Sequence, residues 1–571
     1  MSKKNKQNHP KNGTGAKTGR PQESAGRQIF LHMAEAATSI YVFFILCIYP
    51  LYYHDNYSDM GVSKYAFFSR VSAGLLGIVT IAVIGLAVSW ISGVIRAGKK
   101  PADELKSILR SLSVCDLFVI AYAVLCVLSY LLSAFHAVPA RSDGVLYDLA
   151  MDGYSGWSMG LISQLLFVVI YFYVSRHWNW SPFTLIAAAV AAAIAYQIGI
   201  LQRFGFNPLG MYDNLGPAEI EKFLSTLGQS SWYTSYAILI VPLGLYFYSE
   251  AKSLHTRILS GFFIALSFGM IGTSNSDSAY FAIVLIYMVF FCYALRENAA
   301  FLRFLESAMI GAGSFLCIGI LRKVFPERSI ELITGEERIT NFVTTSWVMW
   351  VLLVLLAVMY AALRYFGNAK TVSFQIGKYK GLIWRVVLTA AVLSVWLVML
   401  LIILTTRRKL PGFLSGLYEI EFMNFNEAWG NHRGFNWRMA FRALQRADIK
   451  DMLIGTGPDT FAGAMDTYCY EEVLAYWHGT QLACAHNEWL NMLVTGGILG
   501  LAAYFGIFAS AFRRGLTIAE REPAVVPFMA AVAAYIGHNV FCYQQCVCTP
   551  LIFIMMGIIE MIGRTKGKSE G

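Results

Sequence analysis

Apolar segments long enough to cross a membrane follow one another along almost the whole chain, and this recurrence limits the fold more than any other feature. A helix needs roughly 20 apolar residues to cross about 30 Å of hydrocarbon, and backbone polar groups in lipid must be satisfied within the helix. Such runs fall near residues 30–52, 67–95, 113–135, 157–175, 181–201, 231–249, 258–273, 278–295, 304–321, 342–365, 383–405, 488–511, 524–541 and 547–563. The pattern predicts an all-α polytopic membrane protein with about 14 transmembrane helices. Only 14% of the 571 residues are charged, against about 25% in soluble domains. The shortfall extends along the whole chain, which argues against one soluble domain carrying a single anchor.

A net charge of +10 could mark a nucleic-acid surface, but its distribution follows the retention of Lys and Arg in short cytoplasmic loops. Such loops hold Arg96, Lys99 and Lys100, then Lys252 and Arg257, then Arg296 and Arg303, then Lys378 and Lys380, then Arg513 and Arg514. Residues 1–28, rich in Lys, Gly and Asn, read as a disordered basic cytoplasmic tail. They lack the short apolar core of a cleavable signal, so the first apolar run is expected to stay. The bundle is then 29–406 and 488–563, with a second cytoplasmic tail at 564–571. Two loops oppose the charge bias by placing arginines on the extracytoplasmic side: 322–338 and the long segment 407–487.

Segment 407–487 is too long for a structureless loop and is expected to fold as a helical extracytoplasmic cap. Within it, 436–450 reads as an amphipathic helix with Arg438, Arg442 and Arg446 recurring every four residues. Gly455-Thr456-Gly457-Pro458 breaks that helix. The ten cysteines show no zinc spacing. Cys469 and Cys484 share the cap, as a disulfide or as two free thiols.

Cationic groups at the outer headgroup level suit a lipid-borne diphosphate, because guanidinium makes forked contacts to phosphate and stays charged. It can also stabilise charge developing on a leaving diphosphate, and a nearby histidine can move a proton near neutral pH. Three stretches could supply these groups: the loop bearing Arg203, the helix around Arg438, and Ala485-His486-Asn487-Glu488 where the chain re-enters the bundle. No Asp-x-Asp pair supports a metal-dependent sugar-nucleotide site.

Asn436-Trp437-Arg438, then Gly455-Thr456-Gly457-Pro458-Asp459-Thr460-Phe461, His486-Asn487-Glu488-Trp489-Leu490 and Gly496-Gly497-Ile498-Leu499-Gly500 together resemble the O-antigen ligase/polymerase family of bacterial membrane glycosyltransferases. The likeness covers roughly residues 430–505, with upstream echoes from Gly228 to Tyr236 and from Gly272 to Tyr280. It departs at Gln229, where relatives often carry Asn, and at Asn275–Asp277, where many carry Ser-Arg. The resemblance implies a GT-C-type fold and metal-free, inverting transfer from an undecaprenyl-diphosphate-linked glycan to an acceptor hydroxyl, without cofactor. It implies His486, Arg438 and Arg203 as catalytic residues. Arg442, Arg433, Asn487, Glu488, Gln229, Asp277 and Tyr280 are the implied substrate contacts. Polymerisation of lipid-linked repeat units is the favoured reading, with ligation to a lipid acceptor as alternative and a flippase and a chain-length regulator as candidate partners. Two rival readings stand beside it: a lipid-linked oligosaccharide flippase, and a different lipid-carrier glycosyltransferase with Asp55 or Asp59 as base.

Overall fold

The computed structural model describes residues 25–136, 138–139, 146–330, 338–367 and 375–567. Residues 1–24 of the first expected tail and 568–571 of the second lie outside the described residues, and 564–567 correct the second tail's start because they continue helix Thr549–Gly567. The first helix, Ala25–Phe43, starts inside the stretch expected to be disordered. Residues 25–28 correct that boundary, because Ala25, Arg27 and Gln28 are good helix formers and the single Gly26 among them does not stop the helix.

Every one of the fourteen expected apolar segments is helical over most of its length. Among the described residues, eight helices are long and apolar enough to cross a membrane: Gly26–Leu51, Met60–Arg96, Val114–Leu131, Pro182–Arg203, Leu254–Ile271, Asn298–Val324, Trp347–Gly367 and Ile376–Thr406. Leu161–His177, Ser278–Ala294 and Pro523–His538 are shorter apolar helices, and Ser230–Ser249, Gly497–Ile518 and Thr549–Gly567 complete the set. The only strands among the described residues form two hairpins of two-residue strands, Val138–Pro139 with Leu146–Tyr147 and Phe223–Leu224 with Gly228–Gln229.

Two expected spans are corrected. Segment 342–365 is interrupted at Ser346, between helices Arg338–Thr345 and Trp347–Gly367. Segment 488–511 is two helices, Glu488–Thr495 and Gly497–Ile518, rather than one. Gly497 has φ +68, and a Cβ there would sit 2.4 Å from the Leu453 carbonyl carbon. A left-handed glycine under another backbone ends the first helix and redirects the chain.

Helices Val526–His538 and Thr549–Gly567 form the centre of the bundle, with almost every described side chain buried. Their neighbours approach closely over glycine: a Cβ on Gly557 would lie 2.9 Å from Val174 Cβ, and one on Gly537 would lie 2.3 Å from Leu285 Cδ1. Small residues at such crossings replace the hydrophobic drive that lipid removes. At the periphery, Ile376–Thr406 has no buried residue across its apolar window, so lipid surrounds it.

A buried ion cluster ties one end of the bundle. Asp116, fully buried, closes a capping box with Ser113 and accepts from Tyr171 Oη at 3.0 Å. It also pairs with Arg176 at 3.0 Å and with Arg564, whose Nε lies 2.9 Å from Glu560. Arg176 lies in the last turn of helix Leu161–His177 and Arg564 near the end of helix Thr549–Gly567, and they meet at one carboxylate. Replacing Asp116 with Ala leaves two guanidinium groups half-desolvated. A loss of about 3 kcal/mol in unfolding free energy is expected in detergent-denaturation titrations, with Asp116→Asn losing less.

Candidate functional site

The loops at the opposite end of the bundle converge, and the chain's re-entry point lies at their centre. Asn487 caps helix Glu488–Thr495 by accepting from Leu490 N at 3.0 Å. Glu488 turns its carboxylate into the bundle, where it accepts from Tyr504 at 2.5 Å, Tyr535 at 3.0 Å and Asn539. Both residues, expected at the substrate, are engaged in holding the chain. His486, one step earlier, adopts φ +49. Non-glycine residues rarely take this conformation, and those that do cluster at functional sites.

The His486 ring meets the Tyr543 ring edge-on at 5.3 Å between centroids. Among the described residues, nothing hydrogen-bonds its ring nitrogens. Burial, and then the charge of Arg433, push the imidazole down to about 4. The ring is therefore neutral at physiological pH.

Arg433 is brought there by an abrupt left-handed turn. Gly430, Asn431 and His432 have φ of 58°, 57° and 64° ahead of a regular helix that runs on to Arg446. His432 pairs with Tyr476 Oη at 2.7 Å, and Phe435 stacks on the same tyrosine with centroids 3.9 Å apart. These contacts hold the turn. Arg433 donates to Gly430 O at 2.6 Å and to Phe541 O at 3.1 Å, bridging the 407–487 segment to the 539–548 loop.

The other arginines of this helix are occupied. Arg442 and Arg446 pair with Glu472 at 3.0 and 2.7 Å, and Arg438 pairs with Glu427. The helix ends at Arg446, four residues before the expected end, because Asp448 begins a new one by capping Asp451 N at 2.7 Å. Arg203 is buried and fully committed to backbone: it donates to Thr273 O at 2.9 Å, Ile220 O at 3.4 Å and Glu221 O at 2.6 Å. It stitches two loops together, and no contact joins it to His486. Tyr280 donates to Thr340 Oγ1 at 3.0 Å, and Asp277 is exposed ahead of its helix.

Gln229 does reach the site, because its Oε1 accepts from Tyr543 Oη at 2.7 Å. Tyr543 also accepts from Trp232 Nε1 at 3.2 Å and stacks on Trp157 with centroids 4.4 Å apart. Trp157, Gln164, Asp459, Glu488, Tyr543 and Gln544 line a narrow cleft, about 30 Å³ in volume. Asp55 and Asp59 are exposed elsewhere. Cys469 and Cys484 are both free thiols. The disulfide alternative fails because the two pack in separate clusters, with Cys469 Sγ directed to Met439 O at 3.7 Å.

Tyr543, Gln544 and Asp459 were missed in the sequence. The polar run 543–545 sits between two apolar segments, and a hydropathy window blends it into them. Asp459 follows a turn that reads simply as a helix break. Among the described residues no group of three His, Cys, Asp or Glu could hold a metal. No protein-family model matches the chain, and no curated protein matches it significantly.

The electrostatics make a direct prediction. With labelled histidine in nanodiscs, the His486 resonance should stay that of a neutral ring at pH 6 and titrate near 4. Arg433→Gln should raise that midpoint, since it removes a like charge.

Proposed function

We propose that this chain is a glycosyltransferase that takes its sugar from a lipid diphosphate-linked glycan and polymerises such repeat units on the outer face of the cytoplasmic membrane. The observation that carries the reading is a neutral imidazole, His486, held against Tyr543, which lines a cleft between the apolar bundle and the 407–487 segment, with the charge of Arg433 acting on that imidazole. A guanidinium in a poorly solvated site attracts a diphosphate and offsets the charge left on it when the glycosidic bond breaks. A neutral imidazole can accept a hydrogen bond from an attacking hydroxyl, as base or as orienting group. The apolar bundle offers the lipid tail a place beside the same cleft.

Within this reading the arginine roles redistribute. Arg433 replaces Arg203 as the diphosphate contact, since Arg203 is buried and each of its three guanidinium nitrogens donates to a backbone carbonyl. Arg438 lies farther along the helix, half-exposed and paired with Glu427, where a charged glycan or diphosphate oxygen could displace the carboxylate. Gln229 acts through Tyr543, which it holds against the His486 ring. A lipid acceptor in place of a growing chain would make the same site a ligase.

The reading is tested by giving the purified protein lipid-linked repeat units. Chain growth without added metal is expected, and export of intact units across vesicles without growth would refute it. Arg433→Lys should lower kcat about 100-fold despite the retained charge, because the fork is lost. Arg203→Lys should lower the melting temperature while leaving the specific activity of the folded fraction unchanged.

A further inference from the structure

Asp459 is a proton-active group that lines the cleft together with Tyr543, the residue that His486 packs against, and the chemistry above leaves it idle. It closes the Gly455–Pro458 turn with a left-handed backbone, φ +58, and its side chain is 8% exposed. The turn approaches the bundle over glycine: a Cβ on Gly455 would lie 2.2 Å from Thr495 O, and one on Gly457 would lie 2.7 Å from Ser133 Oγ. Asp459 Oδ2 accepts from Tyr154 N at 2.8 Å and from Met159 N at 3.0 Å. Those two bonds hold the neighbouring loop. They use one oxygen only, and among the described residues nothing hydrogen-bonds Oδ1 of this cleft-lining side chain.

We propose that Asp459 is the base that removes the acceptor hydroxyl's proton, while His486 orients that hydroxyl; the assignment rests on the glycosyl-transfer reading. The proton passes to Asp459 Oδ1 as the acceptor oxygen bonds to the donor's anomeric carbon. The bond from that carbon to the diphosphate oxygen breaks, and its electron pair leaves with the diphosphate beside Arg433.

Charge accounting favours this division of labour. An imidazole that took the proton would become a cation next to a guanidinium, whereas a carboxylate that takes it becomes neutral in a poorly solvated cleft. Burial pushes the Asp459 carboxyl up to about 7, against two amides that pull it down. The ionisable groups facing the cleft are Glu488 from the re-entrant helix, Tyr122 and Cys126 from Val114–Leu131, and Cys484 and Tyr543 from the adjoining loops. Asp152 lies one residue before Gly153, at the edge of the same loop. Of these, Glu488 is already engaged by two tyrosines and an asparagine.

The deciding experiment compares wild type with Asp459→Asn in nanodiscs, using lipid-linked repeat units as substrate and farnesyl diphosphate as the binding probe. Asparagine keeps an oxygen for the two amides, so the melting temperature and probe binding are expected to match wild type. Turnover should fall about 100-fold, and the acid limb of kcat/KM that wild type shows near 7 should disappear. A variant within about threefold of wild type, with the limb unmoved, overturns the assignment and leaves the glycosyl-transfer reading standing. A wild-type kcat/KM that stays flat as pH falls from about 8 to about 5 also overturns it, whether or not the variant assembles. Wild type that forms no glycosidic bond from the lipid diphosphate overturns both.

Discussion

A carboxylate taken out of water must be hydrogen-bonded or neutralised, and the buried Glu488 settles how this end of the molecule is built. Tyr504, Tyr535 and Asn539 converge on it from two helices and the following loop, and its own N–H donates to Asn539 O at 2.9 Å. Leaving such a group unpartnered in a bundle core would cost several kcal/mol. Helix Glu488–Thr495, helix Gly497–Ile518 and the 539–548 loop are therefore fixed relative to one another. His486, two residues before Glu488, inherits that position.

The same logic extends outwards from Glu488. Asn539 also faces His538, whose ring contacts Ser278 Oγ at 3.0 Å and Thr234 Oγ1 at 3.3 Å. Gln544 links Tyr504 at 2.8 Å to Gln164 at 2.8 Å. A satisfied polar network in a low-dielectric interior admits few alternative arrangements, so it confers rigidity as well as energy. That rigidity holds Tyr543 and the left-handed His486 and Asp459 in conformations the local sequence would not choose by itself. The ion cluster at Asp116 plays the corresponding part at the other end, so the bundle is pinned at both ends and packed over glycine between them.

The arginine row shows why side-chain type alone misleads. Arg438, Arg442 and Arg446 sit at helical spacing, and the helix they predict exists. Their charges are met by Glu427 and Glu472, which lie eleven residues before Arg438 and twenty-six after Arg446. The arginine whose charge acts on the histidine, Arg433, stands at the start of the regular part of that helix. It is delivered by three left-handed residues whose conformation depends on Tyr476 and Phe541.

The sequence by itself determined that this chain is helical and threads a membrane repeatedly, because hydrophobic runs of spanning length have few other ways to satisfy their backbones. It also pointed to the stretch around His486 and to a folded segment at 407–487, since polar residues between such runs need a place to go. Tertiary structure alone decided which arginine's charge acts on the histidine, that Arg203 binds backbone carbonyls, and that Tyr543 and Asp459 share a cleft. Those outcomes depend on contacts between residues hundreds of positions apart, such as Asp459 with Tyr154 and Gln229 with Tyr543. Local propensity carries no record of such pairings; only the closing of the bundle brings them within hydrogen-bond reach.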